Sequence, residues 1–221
     1  MAFTEGFLCR NGVLYESTGS PADMPQTRSV AGPVDTATGK ISVKVEINRR
    51  LFGEGIVFLH DKLYQLTYKE KKGFVYDAAT YKLLDSFAIA SQEGWGLTTD
   101  GTDLIMTDGT SNISYIDPTT YKLVKVLRVT DGRDAVDKLN ELEYVNGYLY
   151  ANIYTTTDIV KIDTKTGLIA GRLDLSALDR KARTRYPQAQ EMNGIAWDAA
   201  SGTFFITGKM WPGIYAISFP H

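Results

Sequence analysis

Five residues able to do chemistry stand one to a segment along the chain, about 40 to 55 residues apart: Glu5, Glu54, Trp95, Asn140 and Asn193. Brought together, two carboxylates, two amides and an indole could pass a proton between two atoms of a bound molecule. The amides could also hold a developing negative oxygen. A second set recurs at the same interval: Gly19, Tyr68, Gly109, Tyr154 and Lys209. It adds two phenols and one cation. Phe3 and Phe52 each stand two residues before a glutamate and would wall it with apolar surface. Such walls desolvate a carboxyl group and raise its pKa toward neutrality.

The rest of the composition narrows that chemistry. The 221 residues include two histidines, His60 and His221, and one cysteine, Cys9. One cysteine makes no intrachain disulfide, and the set is too small for a Cys/His zinc site. A Ser-His-Asp or Cys-His apparatus would depend on one of two histidines, so nucleophilic catalysis of that type is not expected. No metal ligand set is therefore expected, and no cofactor. The net charge of -2 argues against a nucleic-acid binder that works by neutralising phosphates. No apolar run approaches the length of a membrane span. The opening Met1-Ala2-Phe3-Thr4-Glu5 has neither the basic nor the apolar region of a secretory signal. A removed signal would leave the same picture, so the compartment stays open.

The elements that must position these residues are short strands. One run recurs five times: Leu14-Tyr15-Glu16, Leu63-Tyr64-Gln65, Leu104-Ile105-Met106, Leu149-Tyr150-Ala151 and Phe204-Phe205-Ile206. Each follows a turn such as Asn11-Gly12, His60-Asp61, Asp100-Gly101, Asn146-Gly147 or Ser201-Gly202. A second run follows the first. A strand ends at Asp35, Asp77, Asp117 or Asp163, a threonine follows three residues on, and a further strand returns. Five units of up to four antiparallel strands predict an all-β fold, a five-bladed β-propeller forming one domain over 1–221. The expected blades are 8–58, 59–100, 101–145, 146–200, and 201–221 completed by the N-terminus. The last has no returning strand after Ile214–Ile217. Ser176 to Gln190 is the one long insertion, expected as a charged loop with a helical turn. A β-sandwich from the same strands is the alternative, but it has no reason to repeat strand order five times.

In a propeller the innermost strand of each blade lines the central channel. Counting back from each recurring run aligns Phe7, Ile56, Leu97, Leu142 and Ile195. Two positions earlier stand Glu5, Glu54, Trp95, Asn140 and Asn193, one ring at one mouth. Between them stand Gly6, Gly55, Gly96, Glu141 and Gly194; four glycines of five mark backbone packed against a neighbour. The second set ends the adjacent strands, so Tyr68, Tyr154 and Lys209 should face the same mouth. Blander readings exist for each residue. The ring equally suits a hydrated channel or a structural cation, Trp95 a core plug, and the tyrosines rim packing. Lysine is rarely enclosed without a task, and convergence from five segments favours a site. Glu141 and Glu143 share a face and are expected in ion pairs between blades. Lys69-Glu70-Lys71-Lys72 is expected as a solvated loop, and Cys9 as packing.

These segments resemble a known family. Phe3-Thr4-Glu5-Gly6, Phe52-Gly53-Glu54-Gly55, Glu93-Gly94-Trp95-Gly96, Leu139-Asn140-Glu141-Leu142, Asn193-Gly194-Ile195 and Thr207-Gly208-Lys209-Met210-Trp211 are similar to motifs of the plant and bacterial type of glutaminyl-peptide cyclotransferase. They run in the family's order over nearly the whole chain. The resemblance implies a five-bladed propeller that converts an N-terminal glutamine to pyroglutamate and releases ammonia, without catalytic zinc. It implies Glu54 as acid/base, Asn140 and Lys209 beside it as catalytic groups, and Trp95 as a pocket residue. Phe3, Glu5, Phe52, Tyr68, Trp95 and Tyr154 would bind substrate, with Phe3 and Phe52 as apolar walls. Glu5 stands where plant members carry Gln, and Tyr68 and Tyr154 stand where Trp is common. The implied partners are peptides or proteins with N-terminal glutamine, met by a monomer. Two other functions suit the same mouth: a non-catalytic peptide-binding propeller, and a lactonase-like hydrolase whose cation would be held by Glu5, Glu54, Asn140 and Asn193.

Overall fold

The computed structural model describes residues 2–219; His221 lies outside them. Five antiparallel sheets surround one axis as a five-bladed β-propeller. Blade I comprises Thr4–Arg10, Val13–Thr18, Val30–Asp35 and Lys40–Ile41, with Val45–Glu46 also pairing to its third strand. Blade II comprises Gly53–Leu59, Lys62–Thr67, Lys72–Asp77 and Leu83–Ala88. Blade III comprises Leu97–Thr99, Leu104–Thr107, Asn112–Ile116 and Leu123–Arg128. Blade IV comprises Leu139–Val145, Tyr148–Ile153, Asp158–Asp163 and Ile169–Asp174. Blade V has three strands among the described residues, Met192–Asp198, Thr203–Gly208 and Tyr215–Ile217.

Local chemistry fixes each hairpin. In blades I, II and IV a two-residue turn joins the first and second strands, with left-handed φ at Asn11 (53°), His60 (53°) and Asn146 (50°). This geometry follows the natural twist of the strands. At the next turn but one, the Asp35, Asp77, Asp117 and Asp163 carboxylates each accept backbone N–H groups two and three residues on, at 2.6 to 3.3 Å. The fifth residue of these turns is again left-handed: Gly39, Tyr81, Tyr121 and Gly167. A tyrosine there costs on the order of 1 kcal/mol. Stacking of Tyr121 on Phe87 at 4.7 Å helps offset it.

The blade boundaries fall one strand earlier than the sequence predicts. Leu97–Thr99 pairs with Leu104–Thr107 rather than closing the blade before it, and the same holds for Gly53–Leu59, Leu139–Val145 and Met192–Asp198. Nor does the N-terminal strand complete the last blade: Thr4–Arg10 pairs with Val13–Thr18. The short turns decide this, since a hairpin closed by two to four residues forms before a longer connection does. The ring closes instead by contact between blades V and I. Met210 N–H donates to Ala2 O at 2.7 Å, and Asn193 Nδ2 to Thr4 O at 3.0 Å. The insertion also departs from expectation. Ser176–Arg185 is a ten-residue helix. The Asp174 carboxylate accepts the Ser176 N–H at 2.7 Å, and Arg183 pairs with Asp179 one turn back.

The innermost strands meet in the order I–II–III–IV–V–I. Where they are closest no side chain fits. A Cβ on Gly55 would lie 2.5 Å from Leu97 N, and one on Gly96 2.5 Å from Asn140 O. The expected ion pairing of Glu141 and Glu143 is absent among the described residues. Both carboxylates instead accept hydrogen bonds from other blades: Glu141 from Phe7 N (3.1 Å) and Ile195 N (2.7 Å), Glu143 from Trp197 N (3.1 Å) and Thr98 Oγ1 (3.3 Å). Burial pushes the Glu143 carboxyl up to about 8, although these donors pull it down. A carboxyl raised on folding stabilises fully below its unfolded pKa, and that stability is lost as pH rises through the folded value. The melting temperature is therefore expected to fall between pH 5 and pH 9. Glu143→Gln should reduce this decline by about 5 °C, corresponding to roughly 2 kcal/mol in a chain of this size. Equal slopes in thermal scans of the two proteins would contradict the assignment.

Candidate active site

A β-bulge at the same place in four innermost strands builds the site. The ladder register shifts between Thr4 and Gly6, Gly53 and Ile56, Leu139 and Leu142, and Met192 and Ile195. A bulge re-aims a side chain out of the regular alternation. In blade III, Trp95 stands just ahead of the strand and is held by its N–H to Thr107 O at 3.0 Å. The second strands return to the same mouth, where Lys209 follows Gly208. Its backbone is fixed by bonds to Glu191 O (2.9 Å) and from Gln190 N (2.8 Å).

The result is a cavity of about 180 Å³ lined by Phe3, Glu5, Pro21, Phe52, Glu54, Tyr68, Trp95, Asn140, Tyr154 and Lys209. All nine site residues expected from the sequence are therefore in one place, drawn from all five blades. A larger cleft of about 530 Å³ lies between blades I and V, with Glu16 as its one carboxylate. Size alone would favour that cleft. The smaller cavity is the better candidate because two carboxylates, an amide, an ammonium and five aromatic rings converge there.

Aromatic rings form the walls. Phe3 meets Phe52 edge-on at 6.1 Å, Phe52 meets Tyr68 at 5.7 Å, and Trp95 meets Tyr154 edge-on at 5.5 Å. The two glycines of the second ring make room for them. A Cβ on Gly19 would lie 2.2 Å from the Phe52 ring, and one on Gly109 2.7 Å from Trp95. The Trp95 indole N–H donates to Glu93 at 2.9 Å, and Glu93 lies 3.5 Å from Lys69.

The charges are arranged asymmetrically. Lys209 Nζ meets Glu5 Oε1 at 2.7 Å, both enclosed. It also lies 4.8 Å from the Phe3 ring and 5.4 Å from the Tyr154 ring. Burial opposes the Lys209 charge, but Glu5 and Glu54 outweigh it and raise the ammonium pKa. Burial raises the Glu5 carboxyl to about 7, with Lys209 pulling it back. Glu54 is 4% exposed and has no ion-pair partner among the described residues. Burial, and then repulsion from Glu5, raise its carboxyl well above the usual range. Below the ring, Asn193 differs from expectation. It is fully enclosed, does not line the cavity, and braces Glu5 by donating Nδ2 to Glu5 Oε2 at 3.2 Å. Sequence reasoning missed Pro21, because the loop that carries it has no counterpart in other blades. It missed the support from Glu93 too, though that residue sits two before Trp95.

Fold and site together define a five-bladed propeller that gathers carboxylates, an amide and a lysine at one mouth of its channel. The chain belongs to the glutamine cyclotransferase family, whose sequence model matches residues 1–219. By family it is an acyltransferase. It is 37% identical over 219 residues to glutaminyl-peptide cyclotransferase of Arabidopsis thaliana, covering 98% of this chain and 67% of that protein. The crystal structure of Myxococcus xanthus glutaminyl cyclase is 30% identical with a TM-score of 0.88, covering 98% of this chain and 90% of the other. The WD40 domain of Neurospora crassa Pan2 is 10% identical with a TM-score of 0.52, covering 93% of this chain and 58% of that one. That last likeness concerns the fold alone.

Proposed function

We propose that this protein converts the N-terminal glutamine of peptides to pyroglutamate with release of ammonia, using Glu54 as the only proton shuttle and no metal in the chemistry. The observation that carries this reading is Glu54 itself: an enclosed carboxylate with a raised pKa and no ion-pair partner among the described residues, beside a neutralised Glu5–Lys209 pair. The cavity is smaller than the roughly 300–1,000 Å³ of drug-sized ligand sites, which suits a single side chain with the peptide leaving by the open mouth.

The reaction needs one proton moved from the attacking nitrogen to the departing one. The neutral α-amine attacks the side-chain amide carbon. As that N–C bond forms, Glu54 takes a proton from the amine. As the C–NH2 bond breaks, Glu54 gives the proton to the leaving nitrogen, which departs as ammonia. A carboxylate with a raised pKa is a stronger base than an ordinary one and is suited to this exchange near neutral pH. Glu5, fixed by Lys209 and Asn193, orients the amine. Asn140 and the Lys209 ammonium stabilise the oxygen that becomes negative in the tetrahedral intermediate. Trp95, Tyr154, Phe52 and Phe3 hold the glutamine methylenes folded, which is most of what an intramolecular reaction requires. Glu5 is already engaged by Lys209 and Asn193, so the donor set leaves Glu54 as the free carboxylate and suits proton transfer better than cation binding.

Incubation with a glutaminyl dipeptide is expected to release one ammonia per pyroglutamyl product, at the same rate with and without a chelator. Binding without ammonia release would leave only a peptide-binding propeller. Loss of activity on chelation would remove the metal-free mechanism.

A further inference from the structure

Blade IV breaks the repeat at the tightest point of the ring. The other four blades carry glycine there, and blade IV carries Glu141. Blades II and III are joined at this level by backbone, Gly55 N–H to Trp95 O at 2.8 Å. Blade IV reaches blades V and I through a side chain. Glu141 Oε2 accepts Ile195 N–H at 2.7 Å, and Oε1 accepts Phe7 N–H at 3.1 Å. Those amides have short paths to the cavity. Phe7 is two residues from Glu5. Ile195 is two residues from Asn193, which holds the second oxygen of Glu5. Asn140 immediately precedes Glu141 across the bulge. Glu5 in turn holds Lys209.

We propose that Glu141 is a positioning residue for the reaction, tying blades I and V to blade IV so that Glu5, Asn140 and Lys209 converge on the cavity. The proposal deepens the cyclotransferase reading and rests on it for its kinetic consequence. A carboxylate suits the place because each of its two oxygens takes one amide. Glutamine of the same shape would turn an NH2 donor toward an N–H donor. Glu143 supplies the control. It stands on the same face two residues on and makes the same kind of bonds. Its partners Trp197 and Thr98 lie farther along their strands from the mouth.

The test compares the unaltered protein with Glu141→Gln and Glu143→Gln in steady-state ammonia release, and adds a crystal structure of Glu141→Gln. Both variants should remain folded by circular dichroism. In Glu141→Gln, kcat should fall about 10- to 100-fold with KM little changed, as small displacements in a site do. Glu143→Gln should keep near-normal kcat. If Glu141→Gln does not fold, Glu141→Asp, which keeps the charge but reaches less far, should show the same loss confined to kcat. The crystal structure should show the Lys209–Glu5 contact lengthened or Asn140 displaced. Unchanged kcat in a folded variant, equal losses at both positions, or an unmoved Glu5–Lys209–Asn140 group would each overturn the proposal. Absence of ammonia release from the unaltered protein would instead defeat the cyclotransferase reading, and the crystal structure would still decide the positioning.

Discussion

Glu54→Gln is expected to reduce ammonia release from glutaminyl peptides by about 10³-fold or more while leaving the propeller intact. Glutamine fills the same space but cannot accept and return a proton. The fold should not suffer, because Glu54 carries no ion pair among the described residues and its negative form is opposed by burial and by Glu5. Removing that charge relieves repulsion within the site, so the melting temperature should stay level or rise. Peptide binding should change far less than turnover. Kinetics and a thermal scan on the same preparation check both halves. Turnover within ten-fold of the unaltered protein would transfer the proton-shuttle role to another group. A collapse of the fold would mean that Glu54 supports structure in a way its contacts do not reveal.

Lys209→Met should have two separable effects. Loss of the ammonium removes one stabiliser of the developing oxyanion, worth roughly 10²–10³ in kcat. It also leaves Glu5 enclosed without its partner, a situation that typically costs about 3–5 kcal/mol of stability. Without Lys209, the Glu5 carboxyl should titrate above its present value of about 7, because the lysine now pulls it down. Adding Glu5→Gln should restore much of the stability, since the unpaired charge is gone. It should restore none of the turnover. Calorimetry and initial rates on the two single variants and the double variant measure this. An effect confined to KM would make Lys209 a binding group only. Stability unaffected by Lys209→Met would show that Glu5 takes up a proton at no cost.

Much of the fold is legible in the sequence because the signals are local and repeated. Asn11-Gly12 and Asn146-Gly147 prescribe their own turns, and the aspartates at 35, 77, 117 and 163 cap theirs. A repeat also turns sequence distance into spatial equivalence, so spacing alone groups Glu5, Glu54, Trp95 and Asn140 with Asn193 in one ring, and Tyr68 and Tyr154 with Lys209 in the next. Repetition does not, however, reveal phase. The same series of strands can be cut into blades at any point, and only the pairing of Leu97–Thr99 with Leu104–Thr107 shows where. Residues that act once are also hidden. Pro21 belongs to a loop unique to blade I. The amide partners of Glu141 lie in blades I and V, more than fifty residues away in either direction along the chain. Asn193 is indistinguishable from Asn140 in sequence position. It differs only in what surrounds it, since the last blade meets the first there and Thr4 O takes its donor.

The pairing of Lys209 with Glu5 joins residues 204 positions apart. Phe3 enters the cavity from the start of the chain and Lys209 from its last blade, so no fragment lacking either end can form the site. A nascent chain emerging from the ribosome could fold its first four blades and still lack Lys209, the ammonium that holds Glu5. Full activity is thus expected only once the ring has closed. Because contacts of such long sequence separation form slowly, the appearance of ammonia release during refolding would time that closure directly.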